Sequence, residues 1–192
     1  MSDKLSEHLD NEVITFLKKK PGILELLRDW LILVNYTGEG SISRPDCDEV
    51  TGRIKGYPVT KLSTLYYDYS FLIAPAYKAF EGYLYLLAES LGLKKTTDEI
   101  HNIGSLYDSE KIERIKEEIV TETGEKIDKN DKQGMGMING LRIALRCYRH
   151  NPAHFEGRTD TFQKAKDYGS MIFSVINDTT KYFLTKEIIK NF

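Results

Sequence analysis

The sequence has few cysteines, no long apolar run and almost no net charge. Its two cysteines, Cys47 and Cys147, stand in no CxxC or other paired-ligand spacing, which argues against a disulfide framework and a structural zinc site. No apolar run approaches the roughly 18 residues that a membrane span needs, and the chain starts MSDKLSEHLD rather than with a basic and then apolar signal. We therefore expect a cytoplasmic protein that does not enter a membrane.

The balance of charges excludes a general electrostatic attraction to nucleic acid. The formal net charge is -2 over 192 residues, so any binding of nucleic acid must come from a local basic patch. With 41% hydrophobic and 29% charged residues, the composition is that of a globular protein and suggests neither disorder nor a fibre. The length suits one substantial hydrophobic core.

Hydrophobic spacing predicts helices along most of the chain and no strand of comparable length. The predicted helical segments are two short helices within residues 1–36 separated at Pro21-Gly22, Lys61 to Leu93, 106–123, about Met135 to His150, and about Asp160 to Lys190. Glycine, serine, proline and aspartate between Thr37 and Pro58 predict a long loop. The predicted fold is all-α: an antiparallel bundle of four or more helices in residues 61–192, preceded by a helical extension and loop in residues 1–60.

Two of these segments carry apolar stripes at helical spacing, which predict buried faces. The stripe residues are Leu24, Leu27, Leu31 and Val34 in the second short helix, and Tyr77, Phe80, Leu84, Leu87 and Leu91 in the long helix. Gly92 follows the second stripe and is well placed to end that helix. The glycine-bearing stretch GMGMING, residues 134–140, predicts a flexible start for the next helix.

Basic residues are concentrated in one segment, LRIALRCYRHNPAHFEGR, which spans residues 141–158. The segment holds four arginines and one glutamate, so its formal charge is +3 in a slightly acidic protein. On a helix, Arg142, Arg146 and Arg149 form one stripe beside the apolar face. Planar guanidinium groups suit phosphate oxygens, and this stripe therefore predicts an anionic ligand.

The stretch RHNPAH, residues 149–154, brings an arginine and a histidine to the end of this helix. Pro152 disfavours helical geometry at Asn151, so the chain should turn after His150 and place His154 in or just beyond the turn. A histidine can move a proton near neutral pH, while an arginine can stabilise a phosphoryl group. Together they would suffice for RNA cleavage, because the 2′-hydroxyl beside the scissile phosphate supplies the nucleophile.

This arrangement resembles the HEPN superfamily, whose helical bundles carry an arginine, a polar residue, a few spacers and a histidine between the last two core helices. Arg149, His150 and His154 match that motif in order. The resemblance implies a metal-independent endoribonuclease that acts as a homodimer. It also implies that His154 serves as general acid or base and that Arg149 binds the phosphate.

The upstream segment IAPAYKAFEGYLYLL, residues 73–87, resembles the corresponding helix of the RNase LS (RnlA-type) toxins, in which a basic residue and a glutamate one turn later join the motif. Lys78 and Glu81 have that spacing, with a lysine where the family carries an arginine. The resemblance implies a catalytic role for both residues. A structural ion pair of Glu81 with Lys78 or with an arginine remains an alternative.

We therefore expect the toxin of a toxin–antitoxin or phage-defence system, which cleaves single-stranded RNA by acid–base transesterification and has an antitoxin protein as a further partner. No metal or other cofactor is expected. The predicted catalytic residues are Arg149, His154, Glu81 and Lys78, and the predicted RNA-binding residues are Arg142, Arg146, His150 and Asn151. For His150 the alternative role, support of the turn, stays open.

Two other classes of function compete with this expectation. The first is a non-catalytic helical module whose basic face binds RNA, a nucleotide or an acidic partner. The second is a HEPN-like adaptor that a nucleotidyltransferase modifies. Phe155 and Glu156 disfavour the adaptor, because a tyrosine would be expected just downstream of His154.

Overall fold

The computed structural model describes residues 4–39, 70–93, 109–150 and 162–189, with side chains throughout except at 35–39, 70–71, 109–112 and 147–150. These residues form helices and short connections and contain no strand, which confirms the all-α prediction. After a short 3-10 helix at Lys4–Glu7, the α-helices are α1 (Asn11–Leu17), α2 (Pro21–Glu39), α3 (Ser70–Ser90), α4 (Ser109–Glu125), α5 (Lys132–His150) and α6 (Phe162–Thr185).

Helices α3 to α6 pack in a closed ring. Helix α3 contacts α4, α4 contacts α5, α5 contacts α6, and α6 returns to α3. Helix α2 lies against α3 in the most extensive helix–helix packing of the molecule, and α1 contacts both α2 and α6. The result is a helical bundle whose α3 is covered on several sides. None of the described helices is long and apolar enough to cross a membrane.

The predicted apolar stripes form the core. Leu24, Leu27, Leu31 and Val34 of α2 are all buried, as are the stripe residues of α3 except Leu91, which is half-buried. These side chains belong to one hydrophobic cluster that also includes residues of α4, α5 and α6. The N-terminal helices therefore help to cover the bundle. The predicted boundary at residue 60 lies outside the described residues and stays a prediction.

Polar contacts join α6 to α3 and to the N-terminal segment. The hydroxyl of Thr180 donates a hydrogen bond to the Tyr83 hydroxyl oxygen at 3.0 Å, and both residues are fully buried. Burial raises the pKa of Tyr83, so this phenol stays neutral inside the core. On the surface, Lys181 Nζ lies 2.6 Å from Asp10 Oδ2, and the backbone N–H of Asp10 donates to the Asn177 side chain. These bonds fix the N-terminal turn onto α6.

Gly92 ends α3, as the sequence predicts. Its φ angle is +68°, in the left-handed region that glycine adopts without a steric penalty. The N–H of Leu93 donates to the carbonyl of Ala88, and the N–H of Gly92 donates to the carbonyl of Glu89. This pair of bonds is the Schellman motif, which satisfies carbonyls left unpaired at a helix end.

Several helix boundaries differ from the sequence prediction; α4, for example, ends at Glu125 rather than at residue 123. Helix α2 continues through Thr37 to Glu39, and the remainder of the predicted loop lies outside the described residues. Helix α6 ends at Thr185, short of the predicted end near Lys190. The reason is a left-handed turn at Glu187, whose φ angle is +56° and whose neighbour Ile188 donates its N–H to the Phe183 carbonyl.

Helix α5 begins at Lys132, earlier than the predicted start near Met135. Asp131 explains the early start, because its Oδ1 accepts hydrogen bonds from the backbone N–H groups of Gln133 at 3.1 Å and Gly134 at 3.0 Å. Gly134 belongs to the stretch predicted to be flexible, yet it is packed tightly: a Cβ there would lie 2.5 Å from the hydroxyl oxygen of Tyr182.

Because Asp131 caps α5 as an ionised carboxylate, the free energy of unfolding should decrease at acid pH. A hydrogen bond from the Tyr182 hydroxyl at 2.6 Å, then the bond from Gly134, lower the pKa of Asp131 from 3.8 to about 2. The folded state therefore binds fewer protons than the unfolded state. The stabilisation by the ionised carboxylate is fully present above about pH 4 and is lost as pH falls through about 2.

We expect the free energy of unfolding of wild type to exceed that of Asp131→Asn by a constant amount above about pH 4, and this difference to shrink between pH 4 and pH 2. Urea unfolding followed by circular dichroism at several pH values measures it. Asp128→Asn, which removes an exposed carboxylate from the same connection, is the control. A difference for Asp131→Asn that stays constant down to pH 2 would contradict the assignment.

Candidate functional site

A groove of about 250 Å³ runs between α4 and α5. Its lining consists of polar residues at the rim and apolar residues at the base: Glu117, Val120, Thr121, Arg142, Leu145 and Arg146. Val120 and Leu145 are buried core residues, so the base of the groove is fixed by the packing of α4 against α5. The predicted arginine stripe and a packed apolar surface therefore line the same groove.

The register of α5 places the two arginines at this groove. Ile138, Leu141 and Ala144 are buried against the bundle. The stripe of residues beside them on the helix therefore lies at the edge of the buried face. Arg142 and Arg146 lie on that stripe, one turn apart, and both are exposed. Neither arginine forms an ion pair or a side-chain hydrogen bond with any residue in the described ranges. Within these ranges both guanidinium groups are therefore available to an anion.

The opposite wall of the groove comes from α4. The Thr121 hydroxyl donates to the carbonyl of Glu117 at 2.9 Å, which leaves the hydroxyl oxygen able to accept a further hydrogen bond. The Glu117 carboxylate adds one negative charge opposite the two arginines. The groove thus has a positive balance, an apolar base and polar walls, which suits a phosphate-bearing ligand with a flat apolar portion.

Glu81 of α3 belongs to a second cluster, on the side of α4 that faces α3. Its Oε1 accepts a hydrogen bond from the Tyr85 hydroxyl at 3.2 Å, and its Oε2 lies 3.7 Å from Lys116 Nζ. Lys116 also donates to Glu113 Oε1 at 3.1 Å. The lysine side chain is only 3% exposed, whereas that of Glu81 is 20% exposed. Each carboxylate oxygen of Glu81 therefore has a partner, while the side chain remains partly exposed to solvent.

Lys116 is a site residue that the sequence analysis missed. It lies one turn from Ile112 and from Ile119, on the apolar stripe of α4, where a charged residue implies a buried partner. That position was the signal that could have revealed it. Glu81 does form an ion pair, the alternative that the sequence left open, but the described partner is Lys116 of α4 and not Lys78.

The structure places the other predicted site residues as follows. Lys78 is exposed on α3, and no hydrogen bond or ion pair within the described part of the chain joins Lys78 or Glu81 to the groove arginines. Arg149 and His150 form the last turn of α5 by their backbone. Their side chains, and all of Asn151 and His154, lie outside the described residues, so their roles stay predictions.

The structure thus combines a helical bundle with a groove lined by two exposed arginines. Within it, residues 54–133 match the family model described as RNase LS, bacterial toxin DBD domain. The match relates this segment to bacterial RNase LS toxins, a relation that residues 73–87 predict, and it covers less than half of the chain. No curated protein and no solved structure matches the chain.

The matched segment includes one part of the predicted site and not the other. It contains α4, with Lys116 and the α4 wall of the groove, together with Lys78 and Glu81 of α3. It ends at residue 133, before the arginines of α5. The relation to RNase LS toxins is therefore established for the segment, while the HEPN motif at Arg149 and His154 stays a prediction.

Proposed function

We propose that this protein is a metal-independent endoribonuclease of HEPN type and the toxin of a toxin–antitoxin or phage-defence pair. The observation that carries the proposal is the groove, which the exposed Arg142 and Arg146 line together with buried apolar residues and without an ion partner among the described residues. The relation of residues 54–133 to bacterial RNase LS toxins supports the toxin assignment. The antitoxin partner and the homodimer are parts of the same proposal.

The backbone of α5 continues from the groove arginines to Arg149, one of the proposed catalytic residues. Arg149 follows Arg146 by less than one turn, about 5 Å along the helix axis, and α5 ends directly afterwards at His150. A single strand of RNA whose phosphates bind Arg142 and Arg146 would therefore bring its next phosphate close to Arg149. His154 then takes the proton of the 2′-hydroxyl or returns one to the leaving 5′-oxygen, and Arg149 stabilises the charge on the phosphorane.

The test is cleavage of single-stranded RNA by the purified full chain in excess EDTA. Metal-independent transesterification should proceed at an unchanged rate and leave 2′,3′-cyclic phosphate and 5′-hydroxyl ends. Full inhibition by EDTA with recovery on addition of Mg²⁺ would contradict the proposed mechanism. RNA binding without any product over a range of substrates would favour the non-catalytic module, the second candidate, which the exposed arginines also support.

The groove arginines should contribute to RNA affinity and little to the chemical step. Arg142→Ala and Arg146→Ala are each expected to raise the Kd for single-stranded RNA about three- to tenfold, since each removes a charge-assisted contact to phosphate. Each should also reduce the slope of log K against log salt by about 0.7. Fluorescence anisotropy over a salt series measures both quantities.

Arg114→Ala is the matched control for these two variants. Arg114 is an exposed arginine on α4, 70% exposed and paired with Glu118 at 3.3 Å, and it does not line the groove. Its replacement removes the same charge from the protein and should leave the Kd within about twofold, because the general field contributes little at physiological salt. Equal effects of all three variants would show that net charge, and not the groove, binds RNA.

A further inference from the structure

We propose that Lys116 is a positioning residue that holds the Glu81 carboxylate for catalysis. The inference rests on the proposed ribonuclease function and concerns the one buried cation beside a predicted catalytic residue in the described part of the chain. Lys116 has no assigned role in the sequence motif. Its contacts connect α4, which forms one wall of the groove, to Glu81 on α3.

The contacts form a chain of four side chains. Within α4, Glu113 accepts from Lys116 at 3.1 Å across one turn, and within α3, Tyr85 donates to Glu81 at 3.2 Å across one turn. The link between the two helices is the pair of Lys116 Nζ and Glu81 Oε2 at 3.7 Å. Glu113 thus anchors the lysine, and the lysine and the tyrosine together leave the Glu81 carboxylate little freedom to rotate.

Burial makes this link stronger than a surface ion pair. Lys116 is 2% exposed, so its ammonium group is shielded from water and its interaction with carboxylates is weakly screened. Removal of the ammonium would leave Glu81 held at one oxygen only, by Tyr85. A carboxylate that moves by about 1 Å from its working position can lower a rate about a hundredfold. Lys116 should therefore affect the chemical step through Glu81, without itself binding the RNA.

The first arm of the test compares Lys116→Met with Lys20→Met. Methionine keeps the unbranched shape of the lysine side chain, is one atom shorter, and removes its charge. Lys20 is the matched control, because it also pairs with a glutamate of α3, Glu89 at 3.0 Å, but both partners are about half-exposed. Single-turnover cleavage under saturating protein separates the rate of the chemical step from RNA affinity.

We expect Lys116→Met to lower the single-turnover rate about 10- to 100-fold with a Kd for RNA within about twofold, and Lys20→Met to change neither by more than about twofold. Glu81→Gln should cause a similar loss, and the double variant should be no slower than Glu81→Gln alone, because both changes disable one unit. Lys116→Arg should recover part of the rate. Additive losses, or an unchanged rate in folded Lys116→Met, would overturn the proposal.

The second arm does not depend on activity. Crystal structures of wild type and Lys116→Met should show the Glu81 carboxylate moved from its wild-type position in the variant. An unmoved carboxylate would overturn the role of Lys116 even in an active ribonuclease. If wild type binds RNA but never cleaves it, the proposed function fails, and the catalytic part of the inference fails with it. The position of the Glu81 carboxylate in the two crystal structures still shows whether Lys116 holds it.

Discussion

His154→Ala is expected to lower the rate of RNA cleavage about 10²- to 10⁴-fold and Arg149→Ala about 10²- to 10³-fold, while RNA affinity stays within about threefold. General acid–base catalysis by a histidine contributes about 10²- to 10⁴-fold, and stabilisation of the charged transition state by one positioned donor contributes about 10²- to 10³-fold. Arg149 lies in the last turn of α5, and His154 follows it five positions later in the sequence. The loss should therefore appear in kcat.

The measurement is single-turnover cleavage of a labelled single-stranded RNA, with anisotropy for the Kd. His8→Ala is the control for His154→Ala, because His8 lies in the N-terminal turn, where its ring packs 5.5 Å from that of Phe173. It should cleave at the wild-type rate. Undiminished cleavage by either His154→Ala or Arg149→Ala would reject the proposed active site.

The groove arginines and the predicted catalytic pair should thus separate binding from catalysis. Variants at Arg142 and Arg146 are expected to change the Kd, whereas variants at Arg149 and His154 are expected to change the rate of the chemical step. A non-catalytic binding module predicts a different pattern, in which all four variants weaken RNA binding and no turnover is lost. The comparison of the four variants therefore distinguishes the two candidate functions.

Gly169→Ala should destabilise the fold more than any other single methyl addition at a described glycine. Gly169 is buried on α6, and a Cβ at this position would overlap the indole ring of Trp30 from α2. The indole is 2% exposed and packs 5.2 Å from the ring of Phe173, so it has no free space to enter. The expected cost is about 3 kcal/mol, or about 6 to 12 °C in Tm.

Gly136→Ala is the matched control, since the same change is made inside α5 at an exposed position with no atom within 4 Å of the new Cβ. It should stabilise the protein by about 0.5 to 1 kcal/mol, because alanine favours helix over glycine. In a Trp30→Leu background, the penalty for Gly169→Ala should shrink to less than half, since the overlapping ring is gone. Equal penalties in both backgrounds would show that the overlap is not the cause.

The arginine site could be predicted from the sequence because its signal is local. Arg142 and Arg146 stand beside apolar residues at helical spacing, and this spacing alone places them at the edge of a buried face, where the structure has them. The groove itself could not be predicted in this way. Its other wall is Glu117, Val120 and Thr121 of α4, which reach the arginines only through helix packing.

The cluster around Glu81 shows the same limit more clearly. Spacing along α3 suggested Lys78 as its partner, and the structure instead brings Lys116 from another helix to 3.7 Å. A residue one turn away is a neighbour on the helix surface, but a partly buried carboxylate pairs with whichever cation the packing encloses beside it. The partner therefore depended on which faces of α3 and α4 meet.

The sequence by itself determined the helices, their buried stripes, the end of α3 at Gly92 and the exposed arginines, because periodicity and backbone preferences act within a few residues. Only the tertiary structure decided that α1 and α2 complete the core, that Gly169 is packed beneath Trp30, and that Lys116 holds Glu81. These features join residues that are distant in the chain, and they arise only when apolar faces pack together and exclude water.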